Sequence, residues 1–426
     1  GYHFKCKIQK INRKLMRKLL LIFCTPLFLF AQEKKNNHTT EWNSNFLFES
    51  NGLDKSFLNT MLYDGYISDE MKITWINAGG KNNIIHSEIS NGLSYTYYFK
   101  KQSIGFIFAD RNLLNARFTD DVLRIGFEGN YNYQDETLCF NNTNIRADRF
   151  QQYKLSYGTV INKVNIQGAI SYLAGNHHLS YIIEKGSLYT APFGTSLDIE
   201  YDMNVFVTDT SNLSAFVHNG NGLAIDFSTN FIIKESEIHL SITDLGFIIW
   251  NTSSINLATD SNFNFQGIEV EDIFSFNDSV LDANNIKDDI LRTINTSFKS
   301  YIPATFHMSV SGKIEYEYFK TYTLGIVAKW QPYMDNEPLS FAKIEQGFQQ
   351  SNFSPLYYLQ SAVKIQHMNL IPNLSYGGYS PDFNVGLAMS KGKKHKLILG
   401  THHLEDLLNG DKATAVSVYL KIKLNF

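Results

Sequence analysis

The residues able to do chemistry are few and scattered. His177-His178 and His402-His403 are adjacent pairs. Neighbours in an extended chain point to opposite faces, so neither pair converges on one metal ion. Asp198, Glu200 and Asp202 alternate with apolar residues and share one face at intervals of about 7 Å. Such a stripe either binds cations or a polar solute, or simply solvates a water-filled interior. Serines and histidines abound, yet no spacing singles out a third member for a nucleophilic triad. There is no P-loop, GxGxxG, HExxH, CxxC or GxSxG. No catalytic residue, metal ligand or cofactor is expected, and the chain reads as a non-enzyme. Asn251-Thr252-Ser253 is an N-x-[ST] triplet, and Asp278-Ser279-Val280 matches a short O-glycosylation motif.

The elements behind these residues are more informative. The chain has 426 residues, 19% of them charged and 14% aromatic, with 32 Phe and 24 Tyr. That is too apolar and aromatic for disorder. Residues 1–31 hold seven basic and no acidic residues. Without them, 31 basic face 41 acidic residues, a net charge of −10. Such a balance argues against a nucleic-acid partner. Arg17 and Lys18 precede an apolar run, Leu19 to Phe30, and Ala31 follows. The pattern is that of a cleaved secretory signal peptide over 16–31, starting at Met16, with 1–15 as upstream sequence. A membrane anchor is the alternative, although the run is short of the ~20 residues a spanning helix needs. Cys6 and Cys24 would leave with the signal, so Cys139 remains as a lone thiol.

Beyond residue 31 the chain alternates apolar and polar residues in segments of about ten. The last is the clearest. Val416, Val418, Leu420, Ile422, Leu424 and Phe426 share one face, with Lys421 and Lys423 on the other. The segments around 197–207, 223–228, 238–243, 306–311 and 322–330 follow suit. Weaker members are 93–99, 104–109, 122–133, 153–161, 164–173, 359–366, 370–377, 383–389 and 396–402. Strand lengths, aromatics at strand ends and a terminal Phe426 point to an all-β transmembrane antiparallel barrel of about 14 strands. A soluble sandwich or propeller is the alternative. The expected layout is an N-terminal periplasmic or plug segment over 32–92 and a barrel over 93–426 with a long loop at 250–303. Phe57, Leu58, Met61 and Leu62 recur at helical spacing and are the plug candidates. Ile286, Ile290, Leu291, Ile294 and Phe298 suggest a second helix in the polar, acidic segment 268–300. Asp198, Glu200, Asp202, Lys421 and Lys423 are the lumen-facing candidates.

Several stretches carry a resemblance. They include Phe57-Leu58-Asn59 with Gly65-Tyr66-Ile67, Gly92 to Tyr97, Phe127 to Asn130, Gly194 to Asp198, Asn219 to Phe227 and Ser300 to Ala304. The most specific is Asp244-Leu245-Gly246-Phe247-Ile248-Ile249-Trp250. Together they resemble uncharacterised outer-membrane barrels of Bacteroidota, a family similar to long-chain fatty-acid transporters and to type IX secretion barrels. The resemblance implies a barrel with an N-terminal plug in the outer membrane of a Gram-negative bacterium, and no catalytic residues. The implied partners are outer-membrane lipid, the barrel assembly machinery acting through Phe426, and a secretion-system or lipoprotein component. Passive transport of an apolar or amphipathic solute is the expected function. A non-conducting scaffold for secretion or gliding components is the alternative, and an adhesive barrel is a third reading.

Overall fold

The computed structural model describes residues from 37 onward, except 64, 210–213, 215, 266–291, 315, 317–318, 333–338 and 393. The expected signal peptide, Asp278-Ser279-Val280 and the helical spacing over Ile286 to Leu291 lie outside the described residues.

Alternation gives every strand one apolar and one polar face, and the sheet accommodates both by closing into a ring. Fourteen strands form its wall. The first seven are β1 His38–Ser50, β2 Asn83–Phe99, β3 Gln102–Phe118, β4 Thr143–Ile161, β5 Val164–Thr190, β6 Gly220–Ile233 and β7 Ser236–Trp250. The rest are β8 Ala304–Lys313, β9 Phe319–Trp330, β10 Ser354–Ile365, β11 Met368–Gly378, β12 Phe383–Lys391, β13 His395–Thr401 and β14 Ala415–Asn425. Each is antiparallel to the next. The ring closes where β14 pairs with β1, from Thr39 opposite Asn425 to Glu49 opposite Ala415.

Trp42, Leu93, Phe106, Leu155, Ile170, Ile225, Leu324, Leu359, Leu399 and Val418 are 42–57% exposed. They come from strands all round the ring. An apolar belt of this extent is stable against hydrocarbon, not water. The wall therefore spans a membrane. At one end, the near end, the turns are short. Asn162 and Lys163 close the β4–β5 hairpin with φ of 45° and 72°, the left-handed pair that suits a two-residue hairpin turn. The far end carries the long connections. Helices α1 Lys55–Leu62 and α2 Asp69–Ala78 link β1 to β2, and α3 Asp120–Glu128 follows β3. The far part of β5, from Leu179 to Thr190, pairs with a strand at Leu197–Val207. That strand pairs in turn with Ile255–Phe265, so a small sheet projects beyond the wall.

Three expectations are corrected. The wall begins at His38 rather than at residue 93, because β1 and β2 supply the strands that close the ring. The helix with Phe57, Leu58 and Leu62 therefore follows the first strand instead of preceding it. Phe57 packs edge-on to Trp75 at 5.1 Å at the far end, while Leu62 is exposed. The side chain of Met61 lies outside those described. Residues 122–133 are not a strand, since α3 occupies most of them. Asp120 and Asp121 in its first turn favour helix there.

The face assignment predicts two unequal substitutions. Leu420 shares its face with its cross-strand neighbour Leu399, so Leu420→Arg should lower the heat-modifiable folded fraction, at a cost of about 2–4 kcal/mol. Lys421→Arg should leave that fraction unchanged on a gel. Equal losses would contradict the assignment.

Candidate functional site

The inner face of the wall carries charge, and the charges meet across the lumen. Arg111 on β3 donates to Glu88 Oε1 on β2 and to Asp244 Oδ2 on β7, both at 3.2 Å. Between β3 and β7 stand three other strands. Lys154 on β4 reaches Asp244 Oδ1 at 3.1 Å and also Asp226 on β6. Gln152 Nε2 donates to the same Asp244 oxygen at 2.7 Å. Lys329 on β9 stands 3.9 Å from Glu88 Oε2. Strands β2 and β9 are seven places apart in a ring of fourteen, hence diametrically opposite. Glu88, Asp226 and Asp244 balance Arg111, Lys154 and Lys329, for a net charge of zero.

One backbone irregularity builds this network. The β6–β7 register shifts between Ile225 and Phe227, and Asp244 lies in the bulge with φ of 60°. A bulge re-aims a side chain, and Asp tolerates the left-handed conformation better than most residues. The Asp244 N–H donates to Asp226 Oδ1 at 2.8 Å, which locks the two carboxylates side by side. Lys154 then bridges both.

Toward the far end the lumen becomes apolar. Leu113, Phe150, Leu173, Phe206, Ala224, Ile248, Trp250, Phe298 and Ile302 form one buried cluster. Gly175 and Gly220 let the Trp250 ring lie against the backbone, since a Cβ on either would come within 2.8 Å of it. Phe298 and Ile302 belong to no wall strand. They flank Lys299–Tyr301, a short strand at the end of the long 250–303 connection that pairs antiparallel with Phe247–Ile249 of β7. The Trp250 N–H donates to the Phe298 carbonyl at 2.8 Å, the Ile302 N–H to the Gly246 carbonyl at 3.1 Å and Trp250 Nε1 to Ser300 Oγ at 2.8 Å. Phe298 stacks near Phe206 at 4.9 Å and His178 at 5.2 Å. A buried polar group rims the cluster. Arg146 donates to Asp148 Oδ2 at 2.7 Å, to the Pro332 carbonyl at 3.0 Å and to the Tyr301 carbonyl. Asp148 also pairs with His178 Nδ1 at 2.7 Å.

The residues singled out from sequence are dispersed. Asp198, Glu200 and Asp202 lie on the projecting strand Leu197–Val207, beyond the closed wall. Phe206, on the same face, is buried, whereas Asp198 and Glu200 are exposed. Lys421 pairs with Glu41 at 2.7 Å on the adjacent strand, on the face opposite exposed Val418. Lys423 lies two residues along, opposite Glu41. The histidine pairs split as expected. His178 is buried on Asp148 while His177 meets the Ser214 carbonyl, and His403 pairs with Glu49 while His402 stacks on Tyr419. Among the described residues no three such side chains form a metal-holding group. The cross-lumen network was missed. Asp226 was legible as a polar member of an alternating strand, but the bulge hides Asp244 from any period-two reading.

The model of a family of unknown function, DUF5723, matches residues 35–392. No curated protein matches. Among solved structures, the TodX deltaS2S3 mutant monoaromatic hydrocarbon channel is similar at 8% identity and a TM-score of 0.46, covering 92% of this chain and 91% of that one. The Ralstonia pickettii toluene transporter TbuX is similar at 7% identity and a TM-score of 0.42, covering 92% and 90%. A Pseudomonas aeruginosa FadL homologue is similar at 7% identity and a TM-score of 0.42, covering 91% and 90%.

The balance of the network sets its response to mutation. Asp244→Ala leaves two cations short of a partner, and losing one member of a buried pair costs about 3–5 kcal/mol. The network's side chains are 12–22% exposed, so the loss should fall below that range, visible as a lower folded fraction. Lys154→Ala with Asp226→Ala keeps the charge balanced. That double variant should fold better than Asp244→Ala and should show bilayer conductance steps. A silent, fully folded Asp244→Ala protein would contradict the network.

Proposed function

Since the chain belongs to the family of unknown function DUF5723, we propose a function from the barrel itself. It is an outer-membrane barrel that stays shut to ions and polar solutes and passively admits an apolar or amphipathic solute through its far end. Short turns at the near end and long connections at the far end match periplasmic and extracellular sides of such barrels. The observation that carries the reading is the division of the lumen into two tiers. The middle is bridged by balanced charges, while the far tier is apolar and filled by Phe298 and Ile302 from a connecting segment. The Phe298 and Ile302 side chains can turn aside while Lys299–Tyr301 stays paired with β7, and an apolar solute can take over their contacts.

A second reading is a non-conducting scaffold for partners at the outer membrane. The complete charge balance of the middle tier favours it, because such a lumen needs no opening. One experiment separates the two. Folded protein is placed in liposomes, and uptake of a fluorescent long-chain fatty acid is followed for wild type and Phe298→Ala. The transport reading expects uptake above empty liposomes, several-fold faster in the variant, with ion conductance still low. Uptake equal to that of empty liposomes for both proteins would contradict transport and favour the scaffold.

A further inference from the structure

The outer face of the wall holds a hollow of mixed lining where hydrocarbon should end. On β3, β4 and β5 the apolar face runs up from the near end through Phe108, Tyr153 and Tyr172, whose rings follow one another at 5.2 and 6.1 Å. Aromatic rows of this kind mark the membrane interface. The next outward residues on β3 and β4 are Asp110 and Gln151, paired across the ladder. Asp110 lies nine residues past the turn at Lys101. At about 3.3 Å per residue and a tilt of about 40°, that is about 23 Å above the near rim, at the top of an apolar band ~25 Å tall.

Just above lies a hollow of about 270 Å³ whose lining is largely apolar and includes Ser87, Ile89, Asn112, Arg149, His177 and Asp148, the last with its carboxylate turned to Arg146 and His178. Asp110 anchors its floor, accepting from Gln151 Nε2 at 2.6 Å, Asn112 Nδ2 at 3.3 Å and Arg149 Nη2 at 3.4 Å. Phe216, from the connection before β6, closes one side, its ring 6.0 Å from the guanidinium carbon. His177 Nε2 meets the Ser214 carbonyl of the same connection at 3.2 Å. Arg149 Nε is buried and has no hydrogen-bond partner among the described residues. Asp110 already balances the guanidinium's charge, and the remaining donors of Arg149 are satisfied only if an anion or water completes the set.

We infer that this hollow binds a phosphate-bearing headgroup of an outer-leaflet lipid, with Arg149 as the principal donor. Guanidinium matches phosphate geometry, and Asn112 and Ser87 supply neutral donors beside it. Ile89 and the aromatic row below provide an apolar track for the acyl chains. The inference rests on the outer-membrane placement proposed above but not on transport, so a barrel that admits no solute can still hold the lipid.

The test uses the full-length folded protein in mild detergent, native mass spectrometry, and lipid A as probe. Wild type should retain a lipid A adduct. R149Q should retain about tenfold less, with unchanged heat-modifiability, and R149K should fall between. Lipid A stripped of its phosphates should not be retained. Equal retention by wild type and R149Q, or equal retention of the dephosphorylated lipid, would overturn the assignment. Displacement of the adduct by millimolar inorganic phosphate alone would mark a free-anion site and overturn the lipid assignment too.

Discussion

The structure depends on one constraint. A closed wall that turns its apolar face outward must turn the charged strand residues of its apolar band inward, where each needs a partner. Hydrocarbon offers no hydrogen bonds, so no backbone group and no ion can be satisfied outward. Closure satisfies the backbone. The side chains are satisfied by reaching across the lumen, and the reach of Arg and Lys sets which strands are coupled. Arg111 ties β2, β3 and β7 together, and Lys154 ties β4, β6 and β7. These contacts join residues remote in sequence and fill the space a porin would leave to water.

The far tier follows a different logic. Burial of Trp250, Phe298 and Ile302 is non-directional, so by itself it sets no register, and pairing of Lys299–Tyr301 with Phe247–Ile249 fixes the backbone. The hydrogen bonds from Trp250 to the Phe298 carbonyl and to Ser300, and from Ile302 to the Gly246 carbonyl, extend that pairing at both ends. Side chains on this paired segment can release a few such contacts while its backbone stays paired and the wall stays closed. The charge-bridged middle has no comparable freedom, because moving one member exposes several others. On the proposed transport reading, this difference places the stopper in the far tier and the seal in the middle.

Much of the wall was legible in the sequence because alternation is a local property. The strand ending at Asn425 and the strands around 306–311 and 322–330 stand where their period places them. The start of the wall was not legible. His38–Ser50 has Trp42 alone in its first half and then Phe46, Leu47 and Phe48 in a row, so it lacks a clean period. Residues 122–133 mix both periods, and contact with Trp75 and Phe118 settles α3 as a helix through packing. The acidic stripe was a sound strand in the wrong place, since alternation cannot tell a wall strand from one projecting beyond it. The charge network was hidden because it depends on closure geometry and on the bulge at Asp244.

Planar-bilayer recording of the folded, heat-modifiable wild-type protein tests the central claim most directly. A lumen bridged by Glu88, Arg111, Asp244, Lys154, Asp226 and Lys329 should insert without stable conductance steps in ordinary salt. Large ohmic steps from wild-type protein, persistent and independent of any added solute, would mean an open water-filled lumen and would contradict the account.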